Sequence, residues 1–74
     1  MNGKPTFYTV MEQIDSNVPH RIDDPAHSFD SAARLLEARR EYWLTLQYAE
    51  SRTERGYRFT GSGLTIDLFI VKSE

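Results

Sequence analysis

One stretch of this chain has a helical period, and everything else has to be arranged around it. In SFDSAARLLEARREYW, beginning at Ser28, the residues Phe29, Ala32, Ala33, Leu36 and Trp43 gather on one face at 100° per residue. Asp30, Arg34, Glu37 and Glu41 form the opposite stripe, at spacings that suit ion pairs along a helix surface. Arg39 and Arg40 flank the apolar face near its C-terminal end, where cations suit the helix dipole. Ser28 or Asp30 can cap the start by accepting a free first-turn N–H. The pattern predicts a helix over 28–42 that lies on a surface with one face buried.

The remaining apolar runs read as strands. TFYTVMEQI predicts a strand over 6–14, rich in β-branched and aromatic residues. Tyr8, Val10 and Ile14 share one face, with Glu12 interrupting it, and Phe7, Thr9 and Met11 share the other. Alternation of Leu44, Leu46 and Tyr48 predicts a second strand over 44–50. Tyr57 and Phe59 sit in a third, 57–61. LTIDLFIVK forms a fourth, 64–72, with Leu64, Ile66, Leu68 and Ile70 on one face. SRTERG and the glycines around Ser62 supply tight turns. Residues 15–27, dense in Asp, Asn, Ser and Pro, are expected to be a loop.

The expected fold is therefore α+β: a two-layer domain spanning 1–74, one helix on a mainly antiparallel four-stranded sheet, in the order β-α-β-β-β. Strand 1 should pair with the last strand or the second. The expected core is Tyr8, Val10, Phe29, Ala32, Leu36, Trp43, Leu46, Leu64, Ile66 and Leu68. A chain of 74 residues buries only a small core. It has no cysteine, so neither disulfides nor thiolate metal sites can brace it. The longest apolar run, LFIV at 68–71, is far short of a membrane span, and MNGKPTFYTV does not read as a secretory signal. The expected compartment is the cytoplasm, with no membrane contact.

Candidate chemistry concentrates in four places. His20, Asp23, Asp24 and His27 are residue types that bind metals or move protons, but two histidines seven apart converge only if the loop curves back. The favoured reading is a helix lead-in with no catalytic residue, no metal and no cofactor. Glu12 and Asp67 lie on strands and are expected on solvated sheet surfaces, so no enzyme activity is expected. Arg52, Arg55, Tyr57 and Arg58 interleave cations with an aromatic ring on a hairpin, which can hold single-stranded nucleic acid. Glu50 and Glu54 lower the charge there, and the net charge of −2 disfavours direct nucleic-acid binding. Phe69 and Val71, with Phe7 and Met11, would leave an apolar patch on the uncovered sheet face, and the last strand would offer a pairing edge, so a homodimer is anticipated.

The remaining feature is acidic. Asp23, Asp24 and Asp30 surround the helix start, and Glu37 and Glu41 lie on its exposed stripe, with Arg34 among them. Such a surface can steer toward a protein partner with a basic surface. In size, slight acidity, absence of cysteine and a single SFDSAARLLEARR helix set against short strands, the chain resembles the small phage-encoded inhibitors of bacterial defence, the anti-CRISPR proteins. That resemblance is one of class and aligns no motif. It implies a non-catalytic binder that occludes the nucleic-acid site of a CRISPR-Cas complex.

Overall fold

The computed structural model describes residues 5–73. Six elements follow in order: β1 (Phe7–Ile14), β2 (His20–Arg21), α1 (Phe29–Thr45), β3 (Ala49–Arg52), β4 (Gly56–Gly61) and β5 (Leu64–Ser73). The strands form one antiparallel sheet in the order β2-β1-β5-β4-β3. The α+β class and the single helix match the sequence reading. The sheet has five strands, not four, because part of the expected loop 15–27 pairs with β1. His20 and Arg21 are both polar and exposed, so no period-2 apolar signal marks them.

The sheet order follows from turn chemistry. Ser62 (φ 48°) and Gly63 (φ 77°) form a two-residue turn with both central residues left-handed, the geometry that joins twisted strands tightly. It folds β5 back on β4, and β5 then pairs along its other side with β1, from Phe7↔Ser73 to Ile14↔Ile66. The last strand is therefore central rather than a pairing edge, and the edges are β2 and β3. At Gly56 an added Cβ would collide with the Leu68 carbonyl oxygen, so β4 and β5 approach here more closely than any side chain allows.

The helix runs three residues past its expected end. Ser28 caps it, its hydroxyl accepting the Ser31 N–H at 3.1 Å. At the other end Leu46 N–H still reaches the Tyr42 carbonyl, and Gln47 then turns left-handed (φ 65°). The alternation that suggested a strand over 44–50 loses to helical spacing: Leu36, Trp43 and Leu44 lie seven and eight residues apart on one face. Leu46 consequently ends up 49% exposed, and β3 begins only at Ala49. Phe29 is also outside the core, 55% exposed, its ring edge-on to Tyr8 at the rim (5.8 Å). The core itself is Val10, Ala32, Trp43, Phe59, Ile66 and Leu68, with Leu36, Leu44 and Tyr57 packed around it. Among the described residues no helix is long and apolar enough to cross a membrane.

Candidate functional site

Alternation along β1 puts Glu12 on the same side as Val10, beneath the helix. The side chain is 1% exposed, which corrects the expectation of a solvated sheet surface. A carboxylate so placed must be satisfied by hydrogen bonds. Arg39 supplies two in a fork, Nε to Oε2 at 2.8 Å and Nη2 to Oε1 at 3.0 Å. One helical turn further on, the Trp43 indole N–H donates to Oε2 at 2.8 Å. Across the sheet His20 pairs with Glu12, its Nε2 lying 3.5 Å from Oε1. Burial alone would raise the Glu12 pKa. The bonds from Arg39 and Trp43 and the charges of Arg39 and His20 outweigh burial and hold it below the ordinary carboxylate value. Arg39 is in turn stacked over Tyr42 (4.3 Å) and raised by its bond to Glu12. An ionised carboxylate bonded in this way has no proton to donate; it fastens the helix to β1. The signal was present in the sequence: one charge in an otherwise apolar face of a strand, and an arginine four residues before the lone tryptophan.

The metal-type residues of the lead-in do not assemble. His20 faces Glu12, and the His27 ring packs against Phe7 (centroids 5.2 Å apart). Asp23 accepts the Asp24 N–H, and Asp24 pairs loosely with Arg21 at 3.7 Å. Among the described residues, no three His, Asp or Glu side chains converge as ligands.

What the lead-in does build is a fixed protrusion. Ile22 N–H donates to the Val10 carbonyl, and Ala26 exchanges two hydrogen bonds with Tyr8 (2.8 and 2.9 Å). Val10 and Tyr8 are two residues apart on β1, whereas Ile22 and Ala26 are four apart. Asp23, Asp24 and Pro25 therefore bulge out of the edge, where regular pairing would have placed a single residue. Ser28 then caps α1, and Asp30 occupies its first turn. Asp23, Asp24 and Asp30 are all exposed.

Glu37 and Glu41, farther along the helix, are exposed but engaged. Glu37 accepts from Arg40 (3.1 Å) and from the Tyr57 hydroxyl (3.0 Å), and Glu41 lies 3.7 Å from Arg40. Arg40 also forks onto Glu50 of β3. These bonds raise the pKa of Arg40, lower that of Glu50 and, through Glu37, raise that of Tyr57. The acidity of the helix stripe is thus partly spent on Arg40.

The basic hairpin divides between the two faces of the sheet. Arg52 and Tyr57 are cross-strand partners on the helix side, and the Tyr57 ring has Arg40 at 5.2 Å and Arg52 at 5.3 Å. Arg58 lies on the other side and forks onto Asp67 at 2.8 and 3.4 Å, which raises the Arg58 pKa. Arg55 lies over the Phe69 ring at 3.9 Å. Phe69 is therefore only 4% exposed and contributes no open apolar patch, while Val71, nearer the strand end, is 42% exposed. Thr53, Glu54, Arg55, Arg58, Asp67 and Phe69 line a shallow groove of about 260 Å³ at this corner. Comparison of the chain with protein-family models, curated proteins and solved structures returns no match.

Proposed function

We propose that this chain is a small non-catalytic protein-binding module. It docks on a basic, nucleic-acid-contacting surface of another protein through Asp23, Asp24 and Asp30, with Glu37 and Glu41 extending the footprint along the helix. The observation that carries this reading is the bulge between the Ile22–Val10 and Ala26–Tyr8 hydrogen bonds. It presents two adjacent carboxylates from a backbone already fixed, so little ordering entropy is lost on docking. Blocking a nucleic-acid site by occupying it is also what the resemblance to anti-CRISPR inhibitors suggests. The hairpin cations support a nucleic-acid reading less well, because Tyr57 is flanked by the chain's own arginines and Arg58 is paired with Asp67.

The test is quantitative capture from a lysate of the source cells on immobilised parent chain and on the Asp23→Lys/Asp24→Lys variant. Both substituted side chains are exposed, so the variant should fold like the parent, as circular dichroism would show. A basic nucleic-acid-binding protein retained by the parent and lost by the variant supports the proposal. Equal retention by both, or retention of nucleic acid alone, overturns it.

A further inference from the structure

The two sheet edges differ in how they are protected. The β2 edge is two residues long, flanked by Pro19 and Pro25 and distorted by the Asp23–Asp24 bulge, all devices that discourage pairing. The β3 edge, Ala49–Arg52, has no proline and no bulge in its pairing with β4, and all four of its residues are exposed.

The hydrogen-bond phase of that edge can be read from the hairpin. Thr53 N–H donates to the Gly56 carbonyl, so Thr53 and Gly56 form a hydrogen-bonded pair across the β3–β4 ladder. Antiparallel pairs alternate, so Ser51↔Arg58 and Ala49↔Thr60 are hydrogen-bonded pairs too. The N–H and C=O groups of Glu50 and Arg52 then point away from β4, toward the open edge. These four backbone groups on alternate residues suit one more antiparallel strand.

We infer that the strand they receive is β3 of a second copy of this chain, in a twofold pairing centred on Ser51. The phase allows two kinds of symmetric register. Centring on Glu50 or on Arg52 sets like charges directly opposite each other. Centring on Ser51 sets Glu50 opposite Arg52 of the other copy, twice, with two backbone hydrogen bonds in each of those pairs. Opposite charges across a ladder stabilise it and like charges destabilise it, so Glu-Ser-Arg is self-complementary in one register only. Side chains of Glu50 and Arg52 both lie on the helix side, where Glu50 already receives Arg40 and Arg52 lies over Tyr57. The incoming Arg52 extends that charge network across the twofold axis. The product is a continuous ten-stranded sheet with a helix against each half. This inference concerns the purified chain alone and does not depend on the docking role of the acidic bulge.

The absence of cysteine provides the test. Ser51 would face its own copy as a non-hydrogen-bonded pair about 4.5 Å apart at Cα, within the range a disulfide spans. Ala49 would face Thr53 of the other copy, so two cysteines at position 49 lie about four residues out of register, roughly 13 Å. Under mild oxidation Ser51→Cys should cross-link to twice the 8.6 kDa chain mass, and at least about tenfold faster than Ala49→Cys given those separations. Adding Arg52→Glu to Ser51→Cys should abolish that advantage. Mixing the Arg52→Glu chain with a Glu50→Arg chain, both carrying Ser51→Cys, should restore it, which rules out misfolding as the cause of the loss. Equal rates for the two cysteine variants, or a rate unaffected by Arg52→Glu, would overturn the inference.

Discussion

Glu12 shows how one polar side chain can organise a small core. The carboxylate is buried beneath the helix and receives three protein hydrogen bonds, two of them from Arg39. Removing Arg39 leaves a buried charge with only Trp43 and His20 for company, and Arg39→Ala should cost about 3 kcal/mol or more in urea unfolding at pH 7. Replacing both partners with leucine should cost less than removing Arg39 alone, because no charge is then stranded. A double variant weaker than Arg39→Ala would show that the contact matters for its packing and not for its charge. The same group sets an acid response. Its folded pKa lies below the unfolded value, so its contribution to stability is complete above the unfolded pKa and is lost as pH falls through the folded one. The stability difference between the parent and Glu12→Gln should therefore shrink as pH drops below about 4.3. Parallel stability curves for the two proteins down to pH 3 would contradict the linkage.

At the level of elements, backbone requirements at Gly56 and Gly63 give a contrasting pair of substitutions. Gly63 has a positive φ of 77° and nothing near its missing Cβ, so Gly63→Ala adds only backbone strain, about 1 kcal/mol. In a domain this size that lowers Tm by roughly 4–8 °C. Gly56→Ala pushes a methyl group into the Leu68 carbonyl oxygen and must shift β4 against β5, so its melting point should fall further. If Gly56→Ala melted above Gly63→Ala, the close approach of the two strands would be wrong. Phe59, fully buried on the same strand, should cost about 3–5 kcal/mol on truncation to alanine. Strong periodicity made the helix, β1, β4 and β5 readable in the sequence to within a few residues. The turn at Ser62–Gly63 was readable for a different reason, since glycine tolerates the positive φ that such a turn needs. β2 was not readable, because a two-residue polar edge carries no amphipathic signal and exists only where β1 pairs with it. The end of the helix is ambiguous in the sequence, because Leu44, Leu46 and Tyr48 satisfy a strand pattern while tertiary packing of Trp43 and Leu44 favours helix. Phe69 reads as open to solvent in the sequence because nothing local says that Arg55 will lie across it.

At the scale of the whole molecule, charge pairing separates side chains engaged within the fold from those available to a partner. Arg39, Arg40 and Arg58 are matched within the fold to the carboxylates of Glu12, Glu50 and Asp67 respectively. Glu37 and Glu41 share Arg40. Asp23 and Asp30 have no cationic partner among the described residues, and Asp24 has only the 3.7 Å contact with exposed Arg21. The candidate residues were legible as acidic types in the sequence, but the bulge that sets two of them forward depends on the register of a strand that local pattern did not reveal. Docking through that bulge predicts attraction to cationic peptides that fades with salt, because exposed charges are screened over about 8–10 Å at physiological ionic strength. The direct measurement is a two-dimensional NMR titration of the isotope-labelled chain with a short arginine-rich peptide at low and high salt. Docking through the bulge predicts amide shifts concentrated at Ile22–Asp30 and spreading to Glu37 and Glu41, largely abolished at high salt and by Asp23→Lys/Asp24→Lys. Shifts concentrated elsewhere on the surface, or unchanged in the lysine variant, would contradict it.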